Sequence, residues 1–215
     1  MPTIISEGKG VRALTFEFSD KWQVYKYDEV NTENFYNKFK GNGYKAIDFI
    51  AKSDKSFLLI EVKYVLAEDE RSSLRLKPED LRYLAVLQEL KSKLSEEELK
   101  LVSFKNKRPY LVDEIDKKVR DTLVGLFASY RHNDSKLSAY NRSLVLDNKP
   151  IFIIVFLERN QELNKPENFK PMASNLKKAI EQKLSFLGDI RVDVVNTLTI
   201  PESLGINVQA GSIGT

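Results

Sequence analysis

Two short segments constrain the fold of this chain more than any others: Ala46-Ile47-Asp48-Phe49-Ile50 and Phe57-Leu58-Leu59-Ile60-Glu61-Val62-Lys63, connected through Lys52-Ser53-Asp54-Lys55-Ser56. Both have the β-branched and aromatic content of strands, and the polar connector reads as a hairpin. In the second strand Leu58, Ile60 and Val62 share one face while Phe57 and Leu59 lie on the other. A strand apolar on both faces belongs inside a sheet that is covered on both sides. Asp48, Glu61 and Lys63 interrupt that pattern. Residues two apart in a strand project from one face, so Glu61 and Lys63 point the same way, and an antiparallel neighbour can hold Asp48 beside them. A strand buried at its start and charged at its end is how a sheet offers a site in a cleft.

Two carboxylates and an ammonium converging in this way suit metal-dependent phosphodiester chemistry. Mg²⁺ prefers oxygen ligands and keeps several waters, so a pair of carboxylates together with a substrate phosphate is enough to hold it. Lys63 beside the metal-bound water could orient it, assist its deprotonation, or neutralise charge growing on the phosphate. An amphipathic edge strand with solvated charges is the competing reading, and the apolar run on both faces argues against it.

Composition removes several other chemistries. There is no cysteine, hence no disulfide, thiolate zinc site or cysteine nucleophile, and the single histidine, His132, lies in a polar stretch, Tyr130-Arg131-His132-Asn133-Asp134. The net charge of +3 is compatible with nucleic-acid binding without demanding it. Without an apolar run of membrane-spanning length or a signal-like start, the expectation is a cytoplasmic protein with no membrane partner. The 215 residues suit a single domain over 1–215.

Upstream of the hairpin, Leu14-Thr15-Phe16-Glu17-Phe18 alternates as a strand, and Trp22 to Tyr27 reads as a second extended piece. A helix is predicted over 31–40, capped by Asn31 or Thr32, with Phe35, Tyr36 and Phe39 on its apolar side and Gly41 or Gly43 at its end. Residues 67–112 form a charged helical insertion: Pro78 opens one helix, with Leu81, Leu84, Ala85, Gln88 and Leu90 as its stripe, and Ser95-Glu96-Glu97-Glu98 caps another. Arg71, Arg75, Lys77, Lys105, Lys107 and Arg108 flank these helices as candidate phosphate contacts.

A helix over 113–130 places Ile115, Val119, Leu123, Leu126, Phe127 and Tyr130 near one face and Lys117, Lys118, Arg120 and Asp121 on the other. Pro150 to Glu158 reads as a strand covered on both faces. An amphipathic helix follows through Leu176, Ile180, Leu184 and Leu187, ended by Gly188, and Arg191 to Val195 reads as the last strand. From Gly205 the pattern fades, predicting a flexible tail over 205–215.

The signature Asp48, twelve intervening residues, Glu61-Val62-Lys63 resembles that of the PD-(D/E)XK nuclease superfamily, with Ile47 where the family has Pro. The order of predicted elements matches its restriction-endonuclease-like core, an α/β (α+β) fold with a mixed sheet flanked by helices. Trp22 to Asp28, Lys45 to Phe49, Ile60 to Lys63 and Lys118-Val119-Arg120-Asp121-Thr122-Leu123 look like a bacterial group within that superfamily that lacks an assigned substrate.

On this resemblance Asp48 and Glu61 bind Mg²⁺, for which Mn²⁺ can substitute, the Val62 carbonyl adds a ligand, and Lys63 is the catalytic lysine. A further acid often comes from the segment before the hairpin: Glu29 and Asp28 are the leading candidates, with Glu33 and Glu17 behind them, although an acid near a helix start also serves the helix dipole. Lys118 and Arg120 are positioned to approach the centre from the following helix, where surface solubility is the competing role.

The resemblance implies a metal-dependent deoxyribonuclease of a restriction, defence or repair system, with DNA favoured over RNA because no RNA-binding motif is evident. The alternatives are a non-catalytic nucleic-acid or protein-binding module on the same fold and an RNA nuclease. Residues 67–112, enlarged relative to the family pattern, suit a homodimer arm, a DNA clamp or a surface for a protein partner.

Overall fold

The computed structural model describes residues 2–10, 13–29, 33–65, 75–76, 81–102 and 110–210, the side chains of 81–85 excepted. The predicted contacts at Arg71, Lys77, Lys105, Lys107 and Arg108 therefore lie outside the described residues, as do the caps Asn31 and Thr32, the helix opener Pro78 and the tail 211–215. The fold is mixed α/β. Strands β3 (Gln23–Lys26), β4 (Phe49–Lys52), β5 (Phe57–Tyr64), β6 (Ile151–Glu158) and β7 (Ile190–Val195) form one five-stranded sheet in that order.

The β3–β4 and β4–β5 pairs are antiparallel, whereas β5–β6 and β6–β7 are parallel. Parallel neighbours require crossovers. Between β5 and β6 run α1 (Leu81–Lys91), α2 (Glu96–Leu101), α3 (Leu111–Arg131) and α4 (Ser138–Asn141); α5 (Gln161–Asn164) and α6 (Pro166–Leu184) link β6 to β7. No described helix is long and apolar enough to cross a membrane.

Strand β5 lies at the centre of its sheet and is buried on both faces, as its sequence predicts. On one face Phe57 and Leu59 pack with Leu111, Ile115, Val119 and Leu126 of α3 and with Leu176, Ile180 and Leu184 of α6. The other face departs from expectation, because a second sheet covers it instead of helices. Strands β1 (Thr3–Glu7), β2 (Leu14–Phe18) and β8 (Ile206–Ala210) form this antiparallel sheet in the order β1-β2-β8. Leu14, Phe16 and Phe18 bury their rings and methyls against Leu58, Ile60, Phe49 and Phe156. Edge-on ring contacts at 5.4 Å (Phe16–Phe49) and 5.1 Å (Phe16–Phe156) fix that interface.

The predicted tail is thus corrected over Ile206–Ala210: Ile206 and Val208 are buried between the exposed Asn207 and Gln209, a strand alternation with β2 as partner. Each buried aliphatic there contributes about 1.5–3 kcal/mol. The Trp22 indole donates to the Leu204 carbonyl at 2.7 Å and pins the strand's approach.

The predicted helix over 31–40 is instead a pair of 3₁₀ turns, Phe35–Lys38 and Lys40–Asn42. Asn34 is the reason. Its amide accepts from the Tyr36 N–H at 3.1 Å and donates to the Tyr27 carbonyl at 2.9 Å, tying the segment to the end of β3 before a full α-turn can form. Gly43, at φ 80°, then ends it in the left-handed region. Helix α2 has the predicted capping box between Ser95 and Glu98. On α3 the buried stripe runs through Ile115, Val119, Thr122, Leu126 and Ser129, so Phe127 and Tyr130, one position around the helix, are exposed.

Candidate functional site

The hairpin register pairs Phe49 with Ile60, and one step further places Asp48 opposite Glu61. Asp48 closes the ladder with its own side chain: Oδ2 accepts the Val62 N–H at 2.5 Å, while its backbone carbonyl accepts the Tyr27 N–H at 2.8 Å. Val62 is tied to the cluster through this amide. Asp48 and Glu61 are 5% and 1% exposed, which is costly for carboxylates unless cations accompany them.

Helix α3 supplies the company. Lys118 Nζ lies 2.5 Å from Glu61 Oε1 and 3.7 Å from Asp48 Oδ1. One turn earlier Glu114 meets Lys63 at 2.9 Å, and Lys63 also reaches Glu61 Oε1 at 2.6 Å. Arg75 forms an ion pair with the other oxygen of Glu114. One turn later Asp121 accepts the Lys45 N–H at 2.8 Å and Thr122 accepts the Ile47 N–H at 3.1 Å. The helix is therefore fastened to the backbone that leads into Asp48, and the spacing 114, 118, 121, 122 aligns one helix face with the two strands.

Of the sequence-predicted residues, Asp48, Glu61, Lys63, Lys118 and Arg75 come together. Arg120 does not: it pairs with Asp116 at 2.6 Å on the far side of α3, with its side chain 55% exposed. Asp28 is half-buried, and the charges of Glu61 and Lys118 act on it, whereas Glu29 is exposed. Glu33 pairs with Lys136 at the surface, and Glu17 lies in the second sheet between Ile4 and Asn207. Sequence reasoning missed Glu114 and Glu7. The signal for Glu114 was its place four residues before Lys118, a spacing that solvated pairs share. Glu7, from β1, pairs with Lys26 at 2.8 Å and adds its charge to the field at Asp28.

The electrostatics sort the roles. Burial alone would pull the Lys63 ammonium down, but the Glu61 and Glu114 carboxylates overcome it and hold Lys63 above the ordinary lysine value. A lysine held cationic is a poor proton acceptor and a good fixed positive charge. Burial, reinforced by Glu61, pushes the Asp48 carboxyl well above the usual range against the opposing Lys118 and Val62 N–H. Burial and the nearby Glu7 raise Asp28 to about 6. Glu114 is depressed, because Lys63 and Arg75 outweigh its burial.

Among the described residues no three His, Cys, Asp or Glu side chains are placed to hold a metal ion together. The Asp48–Glu61 pair nevertheless fits a hard divalent cation: Glu61 Oε2 is buried with no hydrogen-bond partner among the described residues, an acceptor available to a ligand. No family model matches the chain, and no curated protein or solved structure matches it either.

Proposed function

We propose that this chain is a metal-dependent nuclease that hydrolyses DNA phosphodiester bonds, in keeping with the resemblance of its Asp48, Glu61-Val62-Lys63 signature to PD-(D/E)XK enzymes. The observation that carries the reading is the Glu61 carboxylate. It is buried, with one oxygen shared by Lys63 and Lys118 and the other without a partner among the described residues. A fully structural carboxylate would have both oxygens satisfied.

Asp48 and Glu61 would hold Mg²⁺ or Mn²⁺, joined on the family pattern by the Val62 carbonyl. A bound divalent ion supplies a water of lowered pKa and neutralises phosphate charge. Lys63, kept cationic by Glu61 and Glu114, adds positive charge where the phosphorane-like transition state becomes more negative. Arg75 holds Glu114 and so orients Lys63 from behind.

The test is cleavage of linear duplex, supercoiled and single-stranded DNA and of RNA with Mg²⁺ or Mn²⁺, comparing the wild type with Asp48→Ala and Lys63→Ala. Cleavage confined to the wild type supports the reading, and the preferred substrate separates DNA from RNA. Undiminished cleavage by both variants refutes it. A non-catalytic nucleic-acid-binding module is the second reading, favoured by the Lys118 ammonium lying between the two carboxylates. Binding in EDTA with the same affinity in both alanine variants, and no cleavage of any substrate, would select it.

A further inference from the structure

Lys118 stands where a cation shared by Asp48 and Glu61 would stand, 2.5 Å from one carboxylate and 3.7 Å from the other. The loading of the pair is uneven. Glu61 has a second ammonium in Lys63 at 2.6 Å, whereas Lys118 is the one cationic side chain within ion-pair distance of Asp48 among the described residues. Asp48 therefore depends on Lys118 for its neutralisation, and a buried carboxylate without a cation is costly.

The position of Lys118 is set by its helix and not by the pair. Asp121 and Thr122 anchor α3 to the backbone at Lys45 and Ile47. The lysine stem is flexible and its ammonium compact, so the head can leave while the helix stays. An ammonium and a divalent cation between the same buried carboxylates repel each other strongly, and one must give way.

We infer that Lys118 is a tethered counter-ion: it neutralises the Asp48–Glu61 pair in the absence of a divalent cation and competes with such a cation for the same oxygens. The inference rests on reading Asp48 and Glu61 as metal ligands. It makes divalent-ion affinity the outcome of displacing an internal ammonium.

The experiment is a calorimetric titration with Mn²⁺ of the wild type, Lys118→Met, Lys118→Gln and Asp48→Asn, with thermal unfolding of each in EDTA and in Mn²⁺. Both Lys118 variants should bind Mn²⁺ about tenfold tighter or more, show a larger rise in Tm on adding it, and Asp48→Asn should lose binding. Equal or weaker binding by both Lys118 variants, with Asp48→Asn still abolishing it, overturns the counter-ion role and leaves the metal reading standing. Binding untouched by Asp48→Asn, or absent from all four proteins, overturns both. Should Lys118→Met lose its melting transition in EDTA, Mn²⁺ must restore it; failure to do so also overturns the role.

Discussion

The Tyr27 hydroxyl lies against the backbone of Gly125: a Cβ added to that glycine would stand 2.3 Å from Tyr27 Oη and 2.5 Å from Phe39 Cζ. This close approach seats α3 on the end of β3, beside Asp28 and the Tyr27 N–H that binds the Asp48 carbonyl. Gly125→Ala should therefore cost about 1–3 kcal/mol through overpacking. The Tyr27 hydroxyl is buried without a partner among the described residues, so Tyr27→Phe should be close to neutral and should recover part of the loss in the double variant. Urea midpoints at constant m-value measure both effects. Strict additivity of the two substitutions would contradict the contact.

Asp28 carries a pH signature. Its folded pKa, raised to about 6 from an ordinary 3.8, means that the native state binds the proton more tightly than the unfolded chain. The sign follows directly: its contribution is most favourable at low pH, declines as pH rises from about 4 to about 6, and is a standing cost above that. Asp28→Asn should match the wild type in stability below pH 4 and exceed it at pH 7 by on the order of 1 kcal/mol, after discounting for its partial exposure. Chemical denaturation across that range is the measurement. A variant less stable than the wild type at pH 7 would show that Asp28 gains more from Lys118 and Lys26 than burial and Glu7 take away.

The parts of this site that were legible in the sequence are those whose partners are local. A hairpin with a short polar connector fixes the strand register, and the period of two then places Asp48, Glu61 and Lys63 together. Lys118 and Arg120 were grouped, yet two positions apart on a helix they face roughly opposite ways, so only one can enter the site. Choosing between them requires knowing which face α3 buries, and the exposed Phe127 and Tyr130 blurred that stripe. The second sheet was hidden for a different reason. β8 is short, its ladder partner β2 lies near the other end of the chain, and the apolar face it packs on belongs to the five-stranded sheet, so its alternation has meaning only in the folded state. Glu114 was illegible in the same way, since Lys63 and Arg75 reach it across long stretches of sequence.

Glu114 gives the opposite pH behaviour. Its folded pKa is depressed, so its ion pairs stabilise the protein fully above the unfolded glutamate value, about 4.3, and that stability is lost as pH falls through the folded value. Glu114→Gln should cost about 1–2 kcal/mol at pH 7, allowing for solvent screening of a partly exposed group, and the difference from the wild type should shrink below pH 4. Under the proposed function it should also lower cleavage, because Lys63 and Arg75 lose the carboxylate between them. A stability difference independent of pH would assign the loss to packing instead of charge.

The role of Lys63 can be separated by charge and by shape. Under the proposed function, Lys63, held cationic between Glu61 and Glu114, would stabilise negative charge and not accept a proton. For the proposed nuclease, Lys63→Gln should lose about 10²–10³ in kcat, the usual consequence of removing one preorganised donor. Lys63→Arg keeps the charge but replaces a compact ammonium with a planar fork, and it should retain measurable cleavage, well above the Gln variant. The pH–rate profile of the Arg variant should keep the shape of the wild type, since no ionisation of Lys63 enters the reaction. An Arg variant as inactive as Gln, together with a titration limb present in the wild type and missing from the variant, would instead make Lys63 the proton acceptor. That outcome would require its ties to Glu61 and Glu114 to break before the water is activated.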